Sequence, residues 1–262
     1  MGRAVLLLAR LTAGLCTASL LTAAMFDAQA ERVTSGTMPP EAHEGVRGRL
    51  TGSPASTLVI GHNAGDDLVT AADAVAFGVG AVEIDVRDIG GELSASHDRP
   101  LPLLGRVAFR GPSLRSAWEI ASLRPAVLLH LKDHSDRFVA QVSRFLAERP
   151  PRRIIIQTSS LATLASVQRR IPEAQRLLLV FNAAQLTVLR RDARLGDIVD
   201  GLSVRESLVS PQVQEWVRDR GLRLYAWTVN DFPRFQELIR CGVDGVMTDN
   251  LDLARSMAGD AA

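Results

Sequence analysis

Gly80-Ala81-Val82-Glu83-Ile84-Asp85-Val86 is a short apolar run with a carboxylate at two alternate positions, and Ala126-Val127-Leu128-Leu129-His130-Leu131 is a second run of the same kind. Near-continuous Val, Ile and Leu over about six residues is what a parallel strand buried on both faces requires. Working outward, such runs recur at residues 57–61, 81–86, 126–131, 153–158, 176–181, 198–204, 222–228 and 244–248. Between them lie amphipathic helical patterns at 67–77, 113–122, 135–147, 161–170, 183–191, 211–220, 231–240 and 250–257, several opening on a Ser, Asp or Pro and closing at Gly. Eight strands each followed by a helix, with one longer excursion after the second strand, predict an α/β protein of the TIM (β/α)8 barrel type. The alternative is an open doubly wound sheet, but no glycine-rich phosphate loop follows the first run.

The first thirty residues have a different character. Arg3 precedes an apolar stretch interrupted only by Arg10, and Ala28-Gln29-Ala30 closes it. This order predicts a signal peptide over 1–30, with the mature chain starting near Glu31 and the protein secreted or periplasmic. Residues 31–56, rich in Gly, Pro, Ser and Thr, are expected to be a flexible segment ahead of a barrel domain at 57–262. Without residues 1–30 the basic and acidic side chains balance, so no global field favours nucleic acid. Cys241 is then the one cysteine left, which excludes an internal disulfide. The composition, 47% hydrophobic and 23% charged, is that of an ordinary globular chain.

Chemistry in such barrels sits where the strands end. Glu83 and Asp85 alternate, so both project from one face of the second strand. Two buried carboxylates need a counter-charge, for which Lys132 and Arg87 are at hand, or a hard cation such as Ca²⁺ or Mg²⁺. Removing either carboxylate is expected to relieve repulsion and leave the fold intact. His62 follows the first strand and His97-Asp98 follows the second, and imidazoles suit proton transfer near neutral pH. Trp227 ends the seventh strand as a substrate wall or a core residue, Arg205 reads as a surface residue in preference to a contact for substrate phosphate, and Asp249 reads as a helix cap.

Gly61-His62-Asn63-Ala64-Gly65, the run from Gly80 to Val86, His97-Asp98 with Pro100-Leu101, Ala226-Trp227-Thr228-Val229-Asn230 and the run from Gly242 to Asp249 together resemble the glycerophosphodiester phosphodiesterases, in order and in spacing. The resemblance implies hydrolysis of small-molecule or lipid-derived phosphodiesters to an alcohol and glycerol 3-phosphate, with membrane contact at most peripheral. It implies His62 and His97 as the acid/base pair, Glu83 and Asp85 as metal ligands, and Lys132 as a phosphate contact, with Asn63 and Trp227 also at the substrate. Two positions depart from the family pattern. Asn63 stands where an Arg is usual, and His130 stands where the third metal carboxylate is usual, bringing a softer and uncharged donor. The segment between His97 and Ser113 is short for the family, which implies an open pocket. Two other functions fit the same residues: a phospholipase D-like enzyme on lysophospholipid or sphingomyelin, and a non-catalytic ligand-binding barrel.

Overall fold

The computed structural model describes residues 57–99, 111–150 and 152–259. The expected signal peptide, the segment 31–56 and most of the excursion after the second strand, including Pro100-Leu101, lie outside the described residues. Eight parallel strands close a barrel: β1 (Leu58–Gly61), β2 (Ala81–Ile89), β4 (Ala126–Leu131), β5 (Arg153–Thr158), β6 (Gln175–Val180), β7 (Gly201–Arg205), β8 (Arg223–Trp227) and β9 (Gly245–Thr248). The sheet order is β1-β9-β8-β7-β6-β5-β4-β2, and the β1–β2 pairing closes it. The helices are α1 (Leu68–Ala76), α2 (Leu114–Ala121), α3 (Asp136–Ala147), α4 (Leu161–Arg170), α5 (Ala183–Arg191), α6 (Leu195–Ile198), α7 (Pro211–Asp219), α8 (Phe232–Arg240) and α9 (Asp252–Gly259). None of the described helices is long and apolar enough to cross a membrane.

Beyond shifts of one to three residues at strand ends, two features differ from expectation. A short strand, β3 (Glu92–Ala95), pairs antiparallel with the end of β2 across Gly90 and Gly91, whose φ angles of 67° and 92° suit a two-residue hairpin turn that a side chain would strain. The expected strand at 198–204 begins only at Gly201, because residues 195–198 form a single helical turn and Asp200 is used to clamp Arg176 through contacts of 2.8 to 2.9 Å.

Seven of the helix starts are fixed by side-chain caps at the end of the preceding loop. Asp67, Ser113, Ser135, Ser160, Asn182, Ser210 and Asp231 each accept a hydrogen bond from a first-turn backbone N–H. Strand alternation then builds two cores. Val82, Ile84, Val127, Leu129, Ile154 and Ile156 face the helices, whereas Ile60, Ala81, Ala126, Leu128, Ile155, Leu177, Tyr225 and Met247 fill the barrel interior. The Tyr225 ring occupies the space that a side chain at position 245 would need, since a Cβ on Gly245 would lie 2.3 Å from it.

Candidate active site

The inward positions at the C-terminal strand ends are polar. Glu83 sits in register with Leu128 of the interior core, so it faces into the barrel, and Asp85 pairs with His130, which pairs with Gln157. Glu83 and Asp85 are both 0% exposed. His130 Nδ1 lies 2.9 Å from Asp85 Oδ1 and 3.3 Å from Glu83 Oε1, and Lys132 Nζ lies 3.0 Å from Asp85 Oδ2. Burial would raise the Asp85 pKa, but the His130 and Lys132 charges outweigh it and hold the carboxyl well below the usual range. Burial likewise pushes the His130 imidazole down, and its contacts to Asp85 and Glu83 more than reverse that, leaving its pKa raised.

The turn after β1 is pressed against β2. A Cβ on Gly65 would meet Ile84 Cγ1 at 2.4 Å and Glu83 O at 2.8 Å, so only glycine allows this approach. Asn63 adopts φ 51°, a left-handed conformation that Asn tolerates, and its backbone N–H donates to Glu83 Oε2 at 3.2 Å. Asp66 Oδ1 accepts from Asp85 N at 2.8 Å, and burial followed by the Asp85 charge pushes the Asp66 pKa up to about 8.

His62 continues the inward row two residues past Ile60. Its Nδ1 lies 2.8 Å from Asp249 Oδ1 and its Nε2 lies 3.9 Å from Glu83 Oε2. A carboxylate can only accept, so Nδ1 donates to Asp249 and Nε2 is the nitrogen that faces the carboxylate pair. Asp249 is in turn held by Asn230 Nδ2 at 2.8 Å, and its backbone N–H donates to Asn230 Oδ1 at 2.9 Å. Asp249 therefore orients His62, which corrects its assignment as a helix cap.

His97 is placed by the β2–β3 hairpin, because Ser96 N donates to Asp85 O at 2.8 Å and Arg87 donates to His97 O at 3.1 and 2.8 Å. Arg87 thus secures the His97 loop and does not neutralise Glu83 or Asp85. The His97 side chain is 56% exposed and pairs through Nδ1 with Asp98 Oδ1 at 2.9 Å; among the described residues it makes no contact with the carboxylate pair. Trp227 packs on the interior core, donates from Nε1 to Ser203 O at 3.0 Å and meets Phe181 edge to face. The Glu83, Asp85, His130, Lys132, His62 and Asn63 positions converge at one end of the barrel. Asp66 and the roles of Gln157, Asp249 and Asn230 were missed; the Asp66-Asp67 doublet was the available signal for the first, since a helix start needs only one cap.

One ligand atom from each of Glu83, Asp85 and His130 lies within 4.8 Å of the others. Nearby, Asn63 Oδ1, Asp66 Oδ2 and Gln157 Oε1 are buried without a hydrogen-bond donor, and neither Asp85 oxygen receives a well-directed hydrogen bond despite its ion pairs. Buried oxygens lacking donors beside two carboxylates fit a divalent cation.

A (β/α)8 barrel with acidic and basic side chains gathered at its C-terminal strand ends has them where enzymes of this fold carry their chemistry. A model of the glycerophosphoryl diester phosphodiesterase family matches residues 85–253, more than half of the chain. The chain belongs to that family and is a phosphoric diester hydrolase. Solved structures share the barrel. A phosphodiesterase from Oleispira antarctica, in complex with the product sn-glycerol-3-phosphate, is 22% identical with a TM-score of 0.65, covering 78% of this chain and 96% of its own. A glycerophosphodiester phosphodiesterase from Agrobacterium tumefaciens is 18% identical with a TM-score of 0.61, covering 76% and 99%. One from Parabacteroides distasonis is 19% identical with a TM-score of 0.59, covering 79% and 98%. No curated protein matches the chain.

Proposed function

We propose that the protein hydrolyses glycerophosphodiesters to an alcohol and glycerol 3-phosphate, using Ca²⁺ or Mg²⁺ held by Glu83, Asp85 and His130. The observation that carries this is the fully buried, inward-facing carboxylate pair ringed by oxygens without donors. The Oleispira antarctica relative, with sn-glycerol-3-phosphate as its product, supports the same substrate class.

When bound, the cation supplies positive charge against the non-bridging phosphate oxygens. Lys132 adds a second cationic contact from the adjacent strand end, and Asn63 offers an amide where the family pattern has a guanidinium. His62, held by Asp249 through Nδ1, accepts at Nε2 the proton of the glycerol hydroxyl beside the phosphate as that oxygen attacks phosphorus. His97, paired with Asp98, gives a proton to the departing alcohol; water then opens the cyclic diester with the two roles reversed. Trp227 forms a wall for the substrate's apolar parts.

The test is head-group release from a panel of glycerophosphodiesters, lysophospholipids and sphingomyelin, after chelation and with each metal restored. Glycerol 3-phosphate formation that chelation stops is the expected result. Turnover of the lipids alone would replace the substrate assignment with the phospholipase D-like one, and full activity in chelator would remove the cation. We also propose export with cleavage near Glu31, supported by the order of residues in 1–30 and checked by N-terminal sequencing.

His130→Glu adds a hard anionic donor and is expected to tighten Ca²⁺ or Mg²⁺ binding about tenfold. In the wild type the cation competes with the His130 proton, so affinity should fall as pH drops through the raised imidazole pKa. The raised value also means that His130 stabilises the metal-free fold fully below about pH 6.5 and loses that contribution as pH rises through the folded value. Calorimetric titration across pH checks both; unchanged affinity for every metal with a lower melting temperature would sink the ligand assignment.

A further inference from the structure

Arg205 ends β7 in direct register with Trp227 of β8. Register partners project to the same face of a sheet, and Trp227 packs on the interior core, so Arg205 projects over the barrel mouth. The guanidinium carbon lies 5.7 Å from the Trp227 ring centroid, consistent with that direction. In the closed strand order β7 stands four strands from β2 either way round, so Arg205 faces Glu83 and Asp85 across the mouth. Its side chain is exposed, and among the described residues no carboxylate lies within ion-pair distance of it. Glu206, its neighbour in the chain, is taken by Arg234 at 3.1 Å.

We propose that Arg205, beside the Trp227 ring, is a specificity site for an anionic group on the alcohol half of the diester. A phosphate bound on the Glu83–Asp85–Lys132 side directs the rest of the substrate toward β7, where a planar fork of N–H donors meets a carboxylate or second phosphate well. This rests on the hydrolytic function proposed above and adds the class of alcohol.

Glycerophosphoserine and glycerophosphoethanolamine differ by one carboxylate and make the test. The wild type is expected to favour the serine ester about fivefold in kcat/KM, a modest figure because the guanidinium is exposed and screened. Arg205→Gln should abolish the preference and leave the ethanolamine ester's rate unchanged, Arg205→Lys should keep part of it, and added salt should erode it in the wild type. No preference in the wild type, or an equal loss for both esters in Arg205→Gln, overturns the inference while the hydrolytic function stands. Turnover of neither ester overturns that function and this inference with it.

Discussion

Asp85→Asn is expected to lower kcat by about a thousandfold or more, and also to destabilise the metal-free protein by about 3 kcal/mol at pH 7. The catalytic loss follows from removing a cation ligand and a Lys132 partner together, since several kcal/mol of transition-state charge stabilisation correspond to that factor. The stability loss reverses what the two carboxylates alone predict. Asp85 faces His130 at 2.9 Å and Lys132 at 3.0 Å, so an amide there leaves Lys132 without its ion-pair partner among the described residues and His130 with Glu83 at 3.3 Å. Because the Asp85 pKa is depressed in the fold, its contribution is fully present above the unfolded carboxylate value near pH 4 and is lost as pH falls through the folded one. The gap in melting temperature between wild type and Asp85→Asn should therefore be wide at pH 6 and close in strong acid. A variant as stable as the wild type at every pH, yet inactive, would show that the ion pairs contribute nothing and that Asp85 acts on the cation alone.

His62→Gln is expected to cost 10²- to 10⁴-fold in kcat/KM with the fold unchanged, because general acid–base catalysis is worth that range and the side chain is partly exposed at 22%. The pH–rate limb assigned to the free base should vanish with it. Asp249→Asn should cost less, about tenfold, since Asp249 sets the imidazole's tautomer and orientation without touching the reacting atoms. Retention of more than about a tenth of wild-type activity by His62→Gln would remove it from the proton transfers. His97→Gln then distinguishes one imidazole from two.

Much of this was legible in the residues. The strand runs at 126–131 and 153–158 and the helices at 161–170 and 183–191 match the structure to the residue, because burial on both faces and a 3.6-residue period leave local marks. Glu83 and Asp85 were readable as one face for the same reason. The hairpin to β3 was not read, although Gly90-Gly91 announced it, and that hairpin is what carries His97 back to the end of β2. Asp66 and Asp249 each look like a helix cap in sequence; their contacts with Asp85 N and His62 Nδ1 span 19 and 187 positions of chain.

The sequence by itself determined the barrel, that Glu83 and Asp85 share one face of a strand, and which histidines and lysine stand at strand ends. Alternation along a strand and caps at helix starts are properties of a few neighbouring residues, and they survive in the order of the letters. Only the tertiary structure decided which end residues meet: that His130 lies between the two carboxylates, that Asp249 orients His62, that Arg87 secures a loop, and that Arg205 stands beside Trp227. Those facts depend on register between strands and on the closure of β1 against β2. Register is set by the packing of the whole interior, which no stretch of neighbouring residues records.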